Sequence, residues 1–206
     1  MSKHYTVTLD TSGDSFLGIQ FTRNPDGSTT LTQPKLLTKL LQQEYPHTGR
    51  HYSQMHPYGP TPGRDYDDRY RSAPPVDHTQ YLRLLGMLLY LTKSRPDIMA
   101  AVSFGAAKSA RPNTYDYQTL LHIVEYVRKT PTRGHRIYRS DGEPLQLYCT
   151  VDASYLLHPD SKGQTGYTIG LYKEGTFYNR SVKQTLVSTS STHQGPFIHL
   201  LPIRRP

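Results

Sequence analysis

YLRLLGMLLYLTKSRPDI, residues 81–98, is the stretch whose reading decides the fold. Leu82, Leu85, Leu88, Leu89, Tyr90 and Leu91 recur at three- and four-residue spacing. That spacing predicts a helix over about 78–92 that is apolar on nearly every side, and so sits at the centre of a packed core. Asp77 is placed to cap its start. Pro96 disfavours helical geometry in the residue before it and sets the end at Arg95.

Two further helices are expected downstream, over about 96–109 and 114–129. The first carries Ala100, Ala101, Gly105, Ala106 and Ala107, which permit close helix approach. The second turns Leu120, Leu121, Val124 and Val127 inward. Upstream, YTVTLD (5–10), FLGIQFTR (16–23) and STTLTQ alternate as strands, the last two joined by the turn residues Asn24-Pro25-Asp26-Gly27. Thr32 then caps a helix over 34–45 with Pro34 in its first turn and Leu36, Leu37, Leu40, Leu41 and Tyr45 buried. Residues 46–76 lose all periodicity and gather prolines and glycines. They read as a connecting arm ordered only where it meets a partner. Asp65, Asp67 and Asp68 in that arm read as a solvated turn, because arginines neighbour them. After Pro131, HRIYRS (135–140), PLQLYCTVDAS (144–154), GQTGYTIGLYKEG (163–175) and TFYNRSVKQTLVSTSST (176–192) predict an antiparallel meander.

Composition narrows the function classes. The chain has 206 residues with a 35% hydrophobic share and 16 prolines, which allows a core but a thin one. No run reaches the roughly 18–20 apolar residues of a membrane span, and no signal peptide opens the sequence. Cys149 is the only cysteine, which excludes an internal disulfide and suits a reducing, intracellular setting, cytoplasmic or nuclear. None of the ten histidines has a metal-ligand spacing, including His47, His51 and His56. The net charge of +8 is concentrated: residues 81–140 hold ten Lys/Arg against three acids, while residues 1–80 are balanced at eight each. Such a concentration favours a polyanion, and Arg83, Lys93, Arg95, Lys108, Arg111, Arg128 and Lys129 are the candidate nucleic-acid contacts. The competing reading for the last four is local, since cations at helix C-termini favour the helix dipole by about 0.3–1 kcal/mol. Asp152 ends a strand and is followed by Ala153 and Ser154, a placement that suits either a metal ligand or an acid opening a turn.

The order of motifs carries more than any one of them. FLGIQFTRNPDGSTTLTQPKLLTKLL, YLRLLGMLLYLTKSRPDIMAAVSF, LYCTVDASY, SKGQTGYTIGLYKEG and SVKQTLVSTSST, spanning about residues 14–194, resemble the end of the reverse transcriptase and the start of the ribonuclease H domain in copia-type retrotransposon polyproteins. The resemblance implies an α+β chain: a small β-hairpin/helix unit (1–45), the arm (46–76), a three-helix thumb/connection region (77–134), and a ribonuclease H-like β-meander lacking its following helix (135–194), before an aberrant tail (195–206). It implies an RNA/DNA hybrid or DNA as partner, or a full-length retrotransposon polyprotein. It also implies Mg²⁺ as the family's cofactor, with Asp152 as the first ribonuclease H aspartate.

The carried-over machine is incomplete. No Tyr-x-Asp-Asp motif precedes FLGIQ, and Asp67-Asp68 falls in the arm. Gly195-Pro196 stands where the family places a glutamate, and GPFIHLLPIRRP holds no acid. The expectation is a chain without polymerase or nuclease activity that binds no Mg²⁺ stably and retains hybrid binding through 81–140. The alternatives are a residual nuclease using Asp152 with Asp160 or a partner chain, a non-enzymatic protein that assembles through an exposed meander edge, and a degenerate reading frame.

Overall fold

Two tight turns shape the amino-terminal sheet. Strand β1 (Ser15–Phe16) returns into β2 (Ile19–Arg23) through Leu17 and Gly18, both at positive φ, 49° and 74°. That pair of left-handed residues makes a two-residue hairpin turn whose twist matches the strands. The Asn24–Gly27 turn is closed by Asp26, whose Oδ1 accepts from the Ser28 amide and hydroxyl at 3.1 and 2.6 Å, and leads into β3 (Thr29–Thr32). The computed structural model describes residues 12–45, 56–57, 68–138, 146–154, 162–173, 176–188 and 197–202. The strand expected at 5–10, His47 and His51, Asp65 and Asp67, Asp160 and Gly195-Pro196 lie outside them.

The fourth strand of this sheet comes from far along the chain. Strand β4 (His135–Ile137) pairs antiparallel with β3, Leu31 opposite His135 and Thr29 opposite Ile137. HRIYRS was expected to open the later meander; instead its first three residues complete the hairpin sheet. Gly134 explains the choice. A Cβ there would sit 2.6 Å from the Leu31 carbonyl oxygen and within 3 Å of the Thr30 and Thr32 methyls, so only glycine lets the chain come this close. Arg136 then donates to Asp26 Oδ2 at 2.6 Å and to Ser28 Oγ at 2.8 Å, fastening β4 to the hairpin turn.

Helix α1 (Pro34–Leu41) begins one residue later than a Thr32 cap would allow. Its N-cap is Gln33, whose side chain makes no capping hydrogen bond, and Pro34 alone sets the first turn. It also ends before Tyr45, whose hydroxyl donates back to the Leu40 carbonyl at 2.9 Å. Part of the arm is fixed: α2 (Asp68–Arg71) and residues 73–76 lie along the start of the helix that begins at Thr114, with Tyr70 donating to Asp116 and Pro75 bridging Asn113. Farther back, His122 Nε2 donates to the His56 carbonyl at 3.1 Å, and Pro57 is buried. These described pieces of the arm are held by contacts within the chain.

Helix α3 (His78–Leu91) starts as expected, Asp77 Oδ1 accepting from the Gln80 amide at 3.0 Å. It stops four residues short of Arg95. The Thr92 hydroxyl turns back onto the Leu89 carbonyl, and the Ser94 and Arg95 side chains leave for Gln33 and Thr130. The single helix expected over 96–109 is a 3₁₀ turn (Pro96–Ile98) followed by α4 (Met99–Ala107). Helix α5 (Thr114–Lys129) has the expected bounds, opened by a reciprocal capping box between Asn113 and Asp116.

These contacts fix the bundle. His78 at the start of α3 reaches the Ser109 carbonyl beyond the end of α4, and Pro74 beside it pairs with Thr114. Arg95 beyond the end of α3 reaches Thr130 beyond the end of α5. Helices α3 and α5 therefore run the same way, with α4 reversed. Leu88, Ile98, Val102, Leu120 and Ile123 are fully enclosed between them, with Leu40 from α1. Gly105 makes the close approach possible: a Cβ there would stand 2.5 Å from Leu120 Cδ2, and its carbonyl accepts from the buried Tyr81 hydroxyl at 2.8 Å.

A second sheet has the order β7-β6-β5-β8, antiparallel throughout: β5 (Gln146–Ser154), β6 (Lys162–Lys173), β7 (Thr176–Ser188) and β8 (Phe197–Pro202). The three-strand meander matches expectation. The tail (195–206) reads as aberrant and one alternative leaves an edge of the meander exposed; its residues 197–202 instead pair along β5, Val151 opposite Phe197 through Gln146 opposite Pro202. The chain is thus an α+β protein of one helical bundle and two antiparallel sheets. Among the described residues no helix is long and apolar enough to cross a membrane.

Candidate nucleic-acid interface

Helix α3 is not apolar-in on every side. Tyr81, Leu84, Leu85, Leu88 and Leu91 form the buried face, while Leu82, Leu89 and Tyr90 are 41%, 44% and 41% exposed. At 3.6 residues per turn these three share one outward stripe with Gly86 and Arg83. Arg83 is exposed near one end of the stripe, and Lys93, in the turn two residues past the end of α3, is exposed near the other.

The stripe continues onto the first hairpin. The Tyr90 hydroxyl donates to the Leu17 carbonyl, tying the β1–β2 tip to α3. Phe16 and Leu17 at that tip are 65% and 69% exposed. Leu17 combines two unfavourable features, an exposed isobutyl group and a left-handed φ of 49° that glycine would adopt at less cost. Backbone strain at an exposed apolar tip is the kind of outlier that marks a working surface. The continuous strand expected over 16–23 is instead broken by this tip. The available signal was Phe16-Leu17-Gly18, an apolar pair running into a glycine where an Asn-Gly turn would be ordinary.

The other expected cations divide into three groups. Arg128 and Lys129 are exposed at the end of α5, Arg128 donating to Glu125 at 3.1 Å. Burial pushes the nearby Tyr45 hydroxyl up to about 12, raised further by Tyr117 and held back by Arg128 and Arg83, so these two guanidiniums from α5 and α3 both approach it. Lys108 and Arg111 flank the opposite end of α5, about 22 Å away by helix rise; the Lys108 charge acts on Asp116 there.

Arg95 departs from expectation. It is 3% exposed, its Nε and Nη2 gripping both Asp97 oxygens at 2.9 and 2.8 Å, its Nη1 and Nη2 donating to the Thr130 carbonyl and hydroxyl at 2.9 and 2.8 Å. A guanidinium committed in this way joins α3, α4 and α5 and presents no donor to a phosphate.

The same network sets opposing titrations. Burial raises the Asp97 carboxyl, but the Arg95 hydrogen bonds and charge, with the Tyr126 hydroxyl, outweigh it and bring the pKa below the usual carboxylate value. Asp116 is buried too; there burial prevails over the Asn113 amide and Tyr70 hydroxyl, and the pKa is raised. A lowered folded pKa gives stability above the unfolded value of about 3.9 that is lost as pH falls through the folded one. A raised one gives stability at low pH that is lost as pH rises through the folded value. Asp116→Asn is therefore expected to gain melting temperature relative to wild type as pH rises from about 4 to 7. A difference independent of pH would contradict this.

Asp152 lies on β5 opposite Gly166, one residue beyond the point where β8 begins at Val151. Among the described residues, the neighbour along that edge is the extended strand β8, which reaches as far as Val151. Among the described residues no three His, Cys, Asp or Glu side chains converge as a metal site.

Over 193 residues the sequence is 30% identical to the retrovirus-related Pol polyprotein from transposon RE1 of Arabidopsis thaliana, an alignment covering 93% of this chain and 13% of that protein. It is 28% identical over 137 residues to an uncharacterized mitochondrial protein of Arabidopsis thaliana, covering 66% of this chain and 54% of the other. A secreted RxLR effector protein 161 of Plasmopara viticola is 30% identical over 118 residues, 57% of this chain and 82% of that protein. The chain thus spans about an eighth of the first relative's length and about half of the second's. No protein-family model matches the sequence, and no solved structure does.

Proposed function

Because the chain belongs to the copia-type retrotransposon Pol polyproteins, as a segment of them, we propose that it holds an RNA/DNA hybrid, or DNA, and is inactive as a catalyst by itself. The observation that carries this reading is the α3 stripe, apolar along its length, cationic at both ends, and continuous with the Phe16–Leu17 tip. A-form duplexes expose a wide, shallow minor groove lined by sugars, a surface that apolar side chains cover well. Arg83 and Lys93 then meet phosphates at the groove walls, with Arg128 extending the track. Phosphate contacts give position and affinity, and nothing in this arrangement reads base sequence.

Leu17→Gly tests the reading because its two expected effects have opposite signs. Removing the left-handed strain raises stability by up to about 1 kcal/mol, while removing the apolar tip weakens hybrid binding several-fold. Anisotropy titration of a labelled hybrid, beside thermal unfolding, reads both. A variant that is more stable and binds as well as wild type would remove the hairpin tip from the interface.

The catalytic half of the proposal rests on the acids. Two-metal cleavage needs several carboxylates to hold cations about 3.5–4 Å apart. Asp152 is the only acid in the β5 sequence, and the strand paired with β5 up to Val151 is FIHLLP, which has no acid. Among the described residues there is therefore no set of carboxylates for a pair of Mg²⁺ ions. A labelled hybrid incubated with the chain and Mg²⁺ is expected to keep its RNA strand intact; cleavage that disappears in Asp152→Asn would contradict this.

A further inference from the structure

The outer edge of β5 is a strand-acceptor slot that this chain fills with its own tail, and we infer that the same slot accepts the tail of a second copy when closure within one chain is prevented. Nine residues of β5 pair with β6, and six of them also pair with β8 on the other side, from Val151 opposite Phe197 to Gln146 opposite Pro202. Without β8 the β5 edge would present a row of unpaired amides and carbonyls, which is a template for another chain. Phe197–Pro202 covers that row in antiparallel register.

Connection length decides between cis and trans closure. Strand β8 follows β7 in sequence but lies at the opposite side of the sheet, three strand spacings or about 14 Å across; Phe197 is level with Val151, Tyr167 and Lys183, five residues or about 17 Å back from Ser188, so the direct span is about 22 Å. Eight residues, 189–196, join Ser188 to Phe197, and nine extended steps reach about 30 Å. The reach exceeds the span by about a third, enough for the tail to close onto its own β5 and leave a monomer. Deleting 190–194 leaves three residues and a reach of about 14 Å, too short to arch over two strands. The tail must then pair with the β5 of another copy, and reciprocity makes the product a two-fold exchanged dimer.

The test is light scattering on the full chain and on the 190–194 deletion, with helical circular dichroism confirming that the bundle is intact in each. Wild type is expected at the mass of one chain and the deletion at twice that mass. Amide exchange should show residues 197–202 protected in both. A deletion variant that stays monomeric overturns the inference, and so does a wild-type chain whose 197–202 amides exchange at unstructured rates.

Discussion

Replacing Arg95 by leucine is expected to lower stability by about 1.5–3 kcal/mol, because a buried guanidinium that holds half-buried Asp97 and Thr130 is lost while Asp97 keeps only Tyr126 and Arg133. The Thr130 carbonyl and hydroxyl and both Asp97 oxygens lose donors at once. The guanidinium also stacks 5.6 Å from the centre of the Tyr126 ring, which Arg133 approaches from 5.8 Å. Lysine would not rescue the site, since an ammonium lacks the planar fork that serves Asp97 and Thr130 together. For a domain of ordinary stability, about 5–15 kcal/mol, such a loss is a large fraction of the total. Urea unfolding reads it directly, and a loss under about 1 kcal/mol would mean that the node contributes little more than an exposed ion pair.

The second large effect falls on binding and leaves the fold alone. Arg83→Ala with Lys93→Ala removes the two cations that bracket the α3 stripe, both exposed. Stability should stay within about 0.5 kcal/mol per substitution, as for ordinary surface positions. The slope of log affinity against log salt should become shallower by about 2, one per lost phosphate contact. The two sets of variants separate roles that charge counting merged: Arg95→Leu unsettles the bundle, whereas the Arg83/Lys93 pair weakens the grip.

How far the sequence could be read follows from where its signals are local. The bounds of α5 and the start of α3 were legible because Asp77 and the 114–129 periodicity act within a few residues. The outward stripe of α3 was not, because a periodic run of leucines says that a helix exists without saying which leucines face a neighbour. Leu82 and Leu88 look alike in sequence, yet one is exposed and the other fully buried. Strand β4 was recognised as a strand and assigned to the wrong sheet, since its partner is chosen by the space at Gly134, about a hundred residues from β3. Arg95 counted as one of ten cations until its contacts with Asp97 and Thr130 were known. Asp152 falls on the strand its alternating residues indicate, and the tail segment that pairs beside that strand, FIHLLP, holds no acid.

The most direct measurement of the central claim is the affinity of the full chain for a labelled RNA/DNA hybrid at several salt concentrations, with the Arg83/Lys93 variant alongside. Wild-type affinity is expected to fall steeply with salt and the variant's less steeply, by about two contacts. Binding that ignores salt, or identical slopes for the two proteins, would contradict a phosphate grip centred on the α3 stripe.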